Sequence, residues 1–228
     1  MNPPSPSSSP PGGEGRVRGR LEIDLCVILD RTASHGRDLR EILDGVIAGG
    51  GRLVQFREKE WPSGRCLPLL EDLRRRAKSA GISFVVNDRL DLALAVEADG
   101  FHVGQDDLPA PLARRLLPAS MFLGVSTHSR EQARQAQADG ADYVAVGSVF
   151  PTATKPEFEL VGLDLLRAVR GEVKAPLIAI GGITADNAPD VIRAGADGVA
   201  VISAICGAPD PAQVTRRMLE RIRAAKAR

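Results

Sequence analysis

From residue 21 onward, the hydrophobic pattern of the chain alternates between two periods. Short runs of apolar and β-branched residues, typical of buried parallel strands, are followed by longer segments with the apolar spacing of a helix packed on a sheet. Eight runs are predicted to be strands, at residues 25–29, 53–56, 83–86, 100–103, 122–125, 143–146, 177–180 and 198–201. Helical spacing is clearest at residues 39–48, 67–80, 130–138, 163–169 and 185–193. Alternating strand–helix units of this number predict an α/β fold, a single (β/α)8 TIM barrel.

The first 20 residues differ in composition from the rest of the chain. They are rich in Pro, Ser and Gly, and they lack the basic and then apolar pattern of a secretory signal peptide. We therefore expect residues 1–20 to form a disordered tail and residues 21–228 to form one barrel domain. A regulatory or tethering role for the tail stays open as an alternative.

The charge balance and the cysteine content argue against several kinds of partner. Thirty basic and 29 acidic residues give a formal charge of +1 without a basic stripe, which disfavours nucleic acid and acidic membrane surfaces. No apolar run approaches the ~20 residues of a transmembrane helix. The three cysteines, Cys26, Cys66 and Cys206, are scattered and lack metal-ligand spacing. These features favour a cytoplasmic protein that binds neither nucleic acid nor membrane.

Polar and charged residues follow most of the predicted strands. In a barrel of this class, the carboxyl ends of the strands form the mouth of the active site. Asp88 and Asp107 follow the third and fourth strands, so two carboxylates are expected side by side, which suggests a hard divalent cation such as Mg²⁺. Arg57 and Lys59 follow the second strand, where they could neutralise phosphate groups. Further polar residues at these strand ends are Gln55, Asn87, Gln105 and Ser126.

Two features in the last part of the chain indicate a phosphate site. Gly181 and Gly182 follow the seventh strand, and a glycine pair allows backbone amides to approach an anion closely. Ser203 is predicted to open a short helix after the eighth strand, where N-terminal amides favour negative charge. A glycine pair alone is weak evidence, but at this position of a barrel it predicts a monophosphate.

Six motifs occur in order along the chain: Gln-Phe-Arg-Glu-Lys, Val-Asn-Asp-Arg, His-Val-Gly-Gln-Asp-Asp, Gly-Val-Ser-Thr-His, Phe-Pro-Thr-Ala-Thr-Lys and Ile-Gly-Gly-Ile-Thr. In this order and spacing they resemble the thiamine-phosphate synthase family, and the resemblance spans residues 21–205. It implies a transferase that condenses the diphosphate of hydroxymethylpyrimidine with a thiazole monophosphate or its carboxylated form. The products would be thiamine phosphate and pyrophosphate.

The resemblance also implies roles for individual residues, with Mg²⁺ as the cofactor. The pyrimidine diphosphate would be held by Gln55, Arg57, Lys59, Asn87, Ser126 and Lys155. The thiazole phosphate would contact Thr152, Ala153, Thr154, Gly182, Ile202 and Ser203. Mg²⁺ would bind Asp88 and Asp107. The catalytic cations would be Arg57, Lys59 and Lys155, which neutralise the departing pyrophosphate. The partners would be small phosphorylated molecules, and a homo-oligomer is one alternative for the assembly.

This chemistry agrees with the residues present. An aminopyrimidine ring delocalises the cation that develops as its diphosphate leaves, so the thiazole nitrogen can attack without a side-chain nucleophile. Accordingly, no Ser-His-Asp or Cys-His constellation is recognisable in the sequence. His102 is expected to pack or hydrogen bond below the mouth, while His35 and His128 are interpreted as loop residues.

The chain departs from the family pattern at few positions. Cys26 stands where an aromatic residue is common, Gly147-Ser148 replaces a frequent Gly-Pro, and Asp106 stands where Glu is more usual. Two alternatives stay open beside the synthase. One is a thiazole tautomerase-like relative, which is expected to lack the Asn-Asp and Thr-x-Thr-Lys elements that this chain keeps. The other is a barrel that binds a phosphate ligand without catalysis.

Overall fold

The computed structural model describes residues 21–152 and 160–227, which form a closed parallel barrel. Its strands are β1 (Leu25–Asp30), β2 (Leu53–Arg57), β3 (Ser83–Asn87), β4 (Gly100–Val103), β5 (Phe122–Thr127), β6 (Tyr143–Val146), β7 (Leu177–Ile180) and β8 (Gly198–Val201). Strands pair in chain order, and β8 pairs with β1 to close the sheet. The predicted TIM barrel is confirmed. The predicted tail at 1–20, and residues 153–159 and 228 of the predicted domain, lie outside the described residues.

The helices surround this barrel. They are α1 (Leu39–Ala48), α2 (Ser63–Ser79), α3 (Leu90–Ala95), α4 (Ala110–Leu116), α5 (Arg130–Ala138), α6 (Gly162–Glu172), α7 (Ala188–Arg193), α8 (Ser203–Cys206) and α9 (Pro211–Lys226). Side-chain caps begin several of them: Asp38 accepts the N–H of Arg40, and Asp210 accepts the N–H of Gln213. None of the described helices is long and apolar enough to cross a membrane.

The strand predictions are confirmed, with β1, β2, β3 and β5 reaching slightly further at their carboxyl ends than the apolar runs. The added residues are polar, among them Asp30, Arg57 and Asn87. An apolar pattern ends where side chains begin to face the mouth, although backbone pairing continues. The predicted strand ends therefore fell short on the side where the site lies.

Apolar side chains fill the barrel in two layers. The larger cluster lies between the sheet and the helices, and a smaller one occupies the inside of the barrel. Buried members of the inner cluster are Cys26, Ile28, Leu53, Val85, Tyr143, Ile178 and Ala200. Tyr143 is the polar exception in this layer, so its hydroxyl needs a partner inside the barrel.

Three aspartates join neighbouring strands at the amino-terminal face of the barrel. They are Asp99, Asp142 and Asp197, which directly precede β4, β6 and β8. Each accepts a backbone N–H from the preceding strand, at Phe84, Leu123 and Leu177, over 2.8–2.9 Å. Each also pairs with an arginine of the helix that precedes that strand, at Arg74 of α2, Arg114 of α4 and Arg170 of α6. These three aspartates therefore have a structural role.

Candidate active site

A cavity of about 590 Å³ opens at the carboxyl ends of the strands. All strands of the barrel, or the loops directly after them, contribute to its wall. It is lined by every described residue that the sequence assigned to the site, namely Gln55, Arg57, Lys59, Asn87, Asp88, Asp107, Ser126, Thr152, Gly182, Ile202 and Ser203. The remaining assignments, Ala153, Thr154 and Lys155, fall outside the described residues.

The two carboxylates predicted to bind Mg²⁺ flank a lysine ammonium. Lys59 Nζ forms an ion pair with Asp88 Oδ2 and lies 3.9 Å from Asp107 Oδ1. Asp88 adopts a left-handed backbone conformation with φ 60°, which Asp tolerates better than most residues. Its N–H donates to the carbonyl of His102 on the neighbouring strand over 2.8 Å. Asp107 Oδ2 accepts the N–H of Gly104 over 2.9 Å. Backbone contacts therefore hold both acids independently of the lysine.

Burial governs the charge of this pair. It raises the pKa of Asp88 to about 6, and the hydrogen bond with Asp107 acts in the same direction, while Lys59 opposes both. Burial also acts to raise the pKa of Asp107, but the hydrogen bonds from Asp88 and from the Gly104 N–H outweigh it, so that pKa is lowered. Below about pH 6 the pair therefore holds a proton on the Asp88 side. At neutral pH both acids are ionised beside the Lys59 ammonium.

The pair fits a divalent cation that carries phosphate ligands. Asp88 Oδ2 is buried and receives no hydrogen bond of good geometry, and its charge is met by the Lys59 ammonium. Across residues 21–152 and 160–227, no group of three or more His, Cys, Asp and Glu side chains could hold a metal ion. A Mg²⁺ that bridges to substrate phosphates needs only one or two protein carboxylates. Asp107 rather than the exposed Asp106 faces the lysine, and its role as a metal ligand stays a prediction.

Arg57 is anchored by a residue that the sequence analysis missed. Its guanidinium pairs with Asp30 Oδ2, and Asp30 is 3% exposed. Asp30 Oδ1 accepts the N–H of Ala33 over 2.9 Å, so both carboxylate oxygens are used. Asp30 and Arg57 are register partners at the ends of the parallel strands β1 and β2. An acid and a base at matching strand ends were the signal that could have revealed this pair.

Ser126 and His102 form a contact that the sequence analysis did not predict. His102 Nε2 lies 2.8 Å from Ser126 Oγ, and His102 Nδ1 lies 2.9 Å from the Tyr143 hydroxyl. The third partner is the phenol of Tyr143, so this contact differs from the Ser-His-Asp constellation that the sequence was expected to lack. The three residues are far apart in sequence but lie on the adjacent strands β4, β5 and β6, where inward side chains meet. The position of His102 below the mouth agrees with its predicted place.

The loop after β7 packs closely against the segment that follows β6. Gly182 has φ 60°, and a Cβ there would lie 2.4 Å from the carbonyl oxygen of Pro151. Asn187 holds the loop, since its Nδ2 donates to the Gly182 carbonyl over 3.0 Å and its Oδ1 accepts the Thr184 N–H over 2.8 Å. The glycine is thus required by chain packing. Ser203 opens α8, as predicted.

Cys26 and His128 also belong to the cavity wall. Burial raises the pKa of Cys26 to about 12, so its thiol stays protonated and contributes a small apolar surface. His128 reaches the cavity from the loop after β5 and contacts the Gly147 carbonyl through Nδ1. His35 instead lies beside Gly207, beyond α8.

Comparisons with known proteins point to one family. The family model described as thiamine monophosphate synthase matches residues 25–205. The chain is 51% identical over 198 residues to a thiamine-phosphate synthase of Moorella thermoacetica, covering 86% of this chain and 94% of that protein. It is 48% identical to the Chloroflexus aurantiacus enzyme of the same name, covering 85% and 90%. The solved thiamine phosphate pyrophosphorylase from Pyrococcus furiosus is 37% identical, with a TM-score of 0.82 over 90% of this chain and 97% of that one.

Proposed function

The chain belongs to the thiamine monophosphate synthase family, and from that premise we propose how the mouth of its barrel performs the synthase reaction. The reaction joins the diphosphate of hydroxymethylpyrimidine to a thiazole phosphate or its carboxylated form. A carbon–oxygen bond to the pyrophosphate leaving group breaks, and a bond from the thiazole nitrogen to the same carbon forms. Thiamine phosphate and pyrophosphate result.

One observation carries the proposal: a single cavity joins an acid pair, several cationic and hydroxyl groups, and an apolar floor. The floor includes Cys26, Ile178 and Ala200, which offer an apolar surface to a heteroaromatic ring. The acids and cations surround the mouth above it. A phosphorylated heterocycle requires this division between an apolar ring site and a charged rim.

The charged rim would assist the departure of pyrophosphate. Mg²⁺ held by Asp88 and Asp107 would supply concentrated positive charge to the diphosphate oxygens. Arg57, already fixed by Asp30, adds a fork of donors without needing to reorganise during the reaction. Lys59 neutralises Asp88 in the substrate-free chain and is long enough to contact a diphosphate oxygen instead. Lys155, outside the described residues, is proposed as a third cation on the same resemblance.

The remaining residues would position the two substrates. Gln55, Asn87 and Ser126 line the cavity beside the cations and offer amide and hydroxyl donors to the pyrimidine diphosphate. The proposed contacts of the thiazole phosphate are Thr152, Ala153, Thr154, Gly182, Ile202 and Ser203. With both substrates bound, the thiazole nitrogen lies beside the carbon that loses pyrophosphate, so proximity replaces a side-chain nucleophile. The cytoplasmic location and a homo-oligomeric state stay predictions.

Product formation tests the proposal. The purified chain is mixed with hydroxymethylpyrimidine diphosphate, thiazole phosphate and Mg²⁺, and thiamine phosphate is read by oxidation to its fluorescent derivative. We expect product that a chelator abolishes and added Mg²⁺ restores. A folded chain that binds thiazole phosphate without turnover would favour a binding protein. Conversion of the thiazole carboxylate tautomer without coupling would favour the tautomerase alternative.

A further inference from the structure

A chain of hydrogen-bonded side chains runs from inside the barrel to its mouth. Tyr143 Oη lies 2.9 Å from His102 Nδ1, and His102 Nε2 lies 2.8 Å from Ser126 Oγ. The Gln55 side chain hydrogen bonds the same phenol. Tyr143 is 1% exposed and His102 5% exposed, whereas Ser126 is half-buried at the cavity. Both ends of the chain, Gln55 and Ser126, are therefore residues for which the proposed function assigns contacts with the pyrimidine diphosphate.

Gly124 leaves room inside the barrel for these hydrogen-bonded side chains. A Cβ atom at this position would lie 2.1 Å from Tyr143 Cζ, 2.3 Å from Tyr143 Oη and 2.5 Å from His102 Nδ1, which is closer than real side chains approach. The close contacts involve the phenol of Tyr143 and the imidazole of His102, so a side chain at position 124 would displace these two groups. The two rings are stacked, with centroids 5.5 Å apart and an angle of 29° between their planes. Their relative orientation is thus set by packing.

Packing alone does not explain why the series of hydrogen-bonded side chains ends at Ser126. The rest of the inner layer is largely apolar, with Leu53, Val85 and Ile178 fully or almost fully buried. An apolar pair in place of Tyr143 and His102 would fill that layer without burying polar groups that need partners. The polar chain instead ends on the Ser126 hydroxyl, at the wall of the cavity.

The positions of the protons follow from the group that Ser126 would contact. Diphosphate oxygens accept hydrogen bonds but do not donate them, so Ser126 contacts them only when its own proton points into the cavity. Ser126 Oγ then accepts the proton of His102 Nε2, and Tyr143 donates to Nδ1. Burial raises the pKa of Tyr143 well above its usual value, so the phenol keeps the proton that it donates.

We propose that His102 and Tyr143 are positioning residues that hold the Ser126 hydroxyl with its proton directed at a phosphate oxygen of the pyrimidine diphosphate. The inference rests on the proposed function, because it takes Ser126 as a diphosphate contact. It assigns no covalent role to Ser126. The partner of His102 Nδ1 is a phenol, which does not stabilise a protonated imidazole as the carboxylate of a serine hydrolase triad does.

A double-mutant cycle between Tyr143 and Ser126 tests this inference, with kcat and KM measured for the pyrimidine diphosphate at saturating thiazole phosphate and Mg²⁺. Ser126→Ala should lower kcat/KM about 10- to 100-fold, as expected for one lost hydrogen bond to a charged group. Tyr143→Phe should lower it about fivefold. The double variant should match Ser126→Ala within about twofold, because the hydroxyl through which Tyr143 acts is absent. KM for the thiazole phosphate should not change.

Two further variants separate positioning from packing. His102→Gln keeps a donor near Ser126 and should retain more activity than His102→Ala. Phe101→Leu is the matched packing control, since Phe101 precedes His102 on β4, is fully buried and belongs to the outer cluster. It should lower the Tm as much as Tyr143→Phe does while leaving kcat/KM within about twofold of the wild type.

Several outcomes would overturn the inference. Additive losses from Tyr143→Phe and Ser126→Ala would show that Tyr143 does not act through the serine. A loss of kcat/KM in Phe101→Leu as large as in Tyr143→Phe would reduce the effect to packing. If Tyr143→Phe does not fold, the cycle is run with His102→Gln and judged by the same criterion. An active wild type with an additive cycle removes this inference alone, whereas an inactive wild type removes the proposed function as well.

Discussion

Asp88 and Asp107 are held by backbone hydrogen bonds on either side of the Lys59 ammonium. Partial burial of their carboxylates at this position is costly for a charged group. The pKa of Asp88 rises to about 6 although a lysine contacts it. A folded protein has no structural need for an acid in this state, since a neutral amide would fill the same space. We propose that the charge of Asp88 remains available to a cation that arrives with the substrate.

Replacement of Asp88 should therefore stabilise the protein while impairing turnover. The folded-state pKa of about 6 lies above the usual value of 3.8, so the wild type loses stability as pH rises from about 4 to about 6. Asp88→Asn lacks this loss and should unfold with a free energy higher by about 1–2 kcal/mol at pH 8, allowing for solvent screening. The difference in free energy of unfolding between the variant and the wild type should vanish near pH 4.

Urea denaturation with a chelator present, from pH 4 to pH 8, measures this difference. Asp186→Asn provides the control, because its carboxylate is exposed and pairs with Arg217 at the surface. A lower stability of Asp88→Asn than of the wild type at pH 8 would contradict the assigned burial cost.

Asp30→Asn should weaken the interaction of the pyrimidine diphosphate with the mouth of the barrel. Asp30 orients the Arg57 guanidinium, and the substitution removes the charge that holds it. We expect kcat/KM for the pyrimidine diphosphate to fall about tenfold, with KM for the thiazole phosphate unchanged. Steady-state kinetics with each substrate varied in turn would check this. Equal changes in both KM values would instead indicate a general distortion of the barrel.

At the scale of strands and helices, the recurring aspartates show how the barrel is held at the face opposite the site. Asp99 accepts the N–H of Phe84 and a bidentate pair from Arg74, so one side chain ties β3, β4 and α2 together. The same arrangement recurs at β6 and β8. Contacts that stabilise the fold therefore lie at one end of the strands and the candidate active site lies at the other, as in barrels of this class.

Asp99→Ala should destabilise the fold without changing the chemistry. The substitution leaves the buried N–H of Phe84 without its acceptor, which should lower the free energy of unfolding by about 2 kcal/mol. Asp164→Ala is the matched control, because its ion pair with Arg167 is at the surface and should contribute less than about 0.5 kcal/mol. The measurements are urea denaturation and kcat/KM for both variants. A large loss of kcat/KM at unchanged stability would contradict a structural role for Asp99.

For the molecule as a whole, the sequence predicts the barrel because each βα unit carries its own local pattern. The short helices α3 and α4 were not predicted, since six and seven residues are too few to show helical periodicity clearly. The described motif residues of the site line one cavity, while their roles stay predictions. Their supporting residues, Asp30 and Tyr143, were missed. Such partners depend on which strands become neighbours and on strand register, which the local pattern does not specify.

We propose that the acid pair at the mouth holds the Mg²⁺ that assists pyrophosphate departure. The most direct measurement compares Asp107→Asn with Asp106→Asn, neighbours that differ in whether they face Lys59, by the rate of thiamine phosphate formation over a range of Mg²⁺ concentrations. Asp107→Asn should be at least about 100-fold slower and require more Mg²⁺, whereas Asp106→Asn should stay within about threefold of the wild type. Equal losses in the two variants, or full activity of Asp107→Asn, would contradict the account.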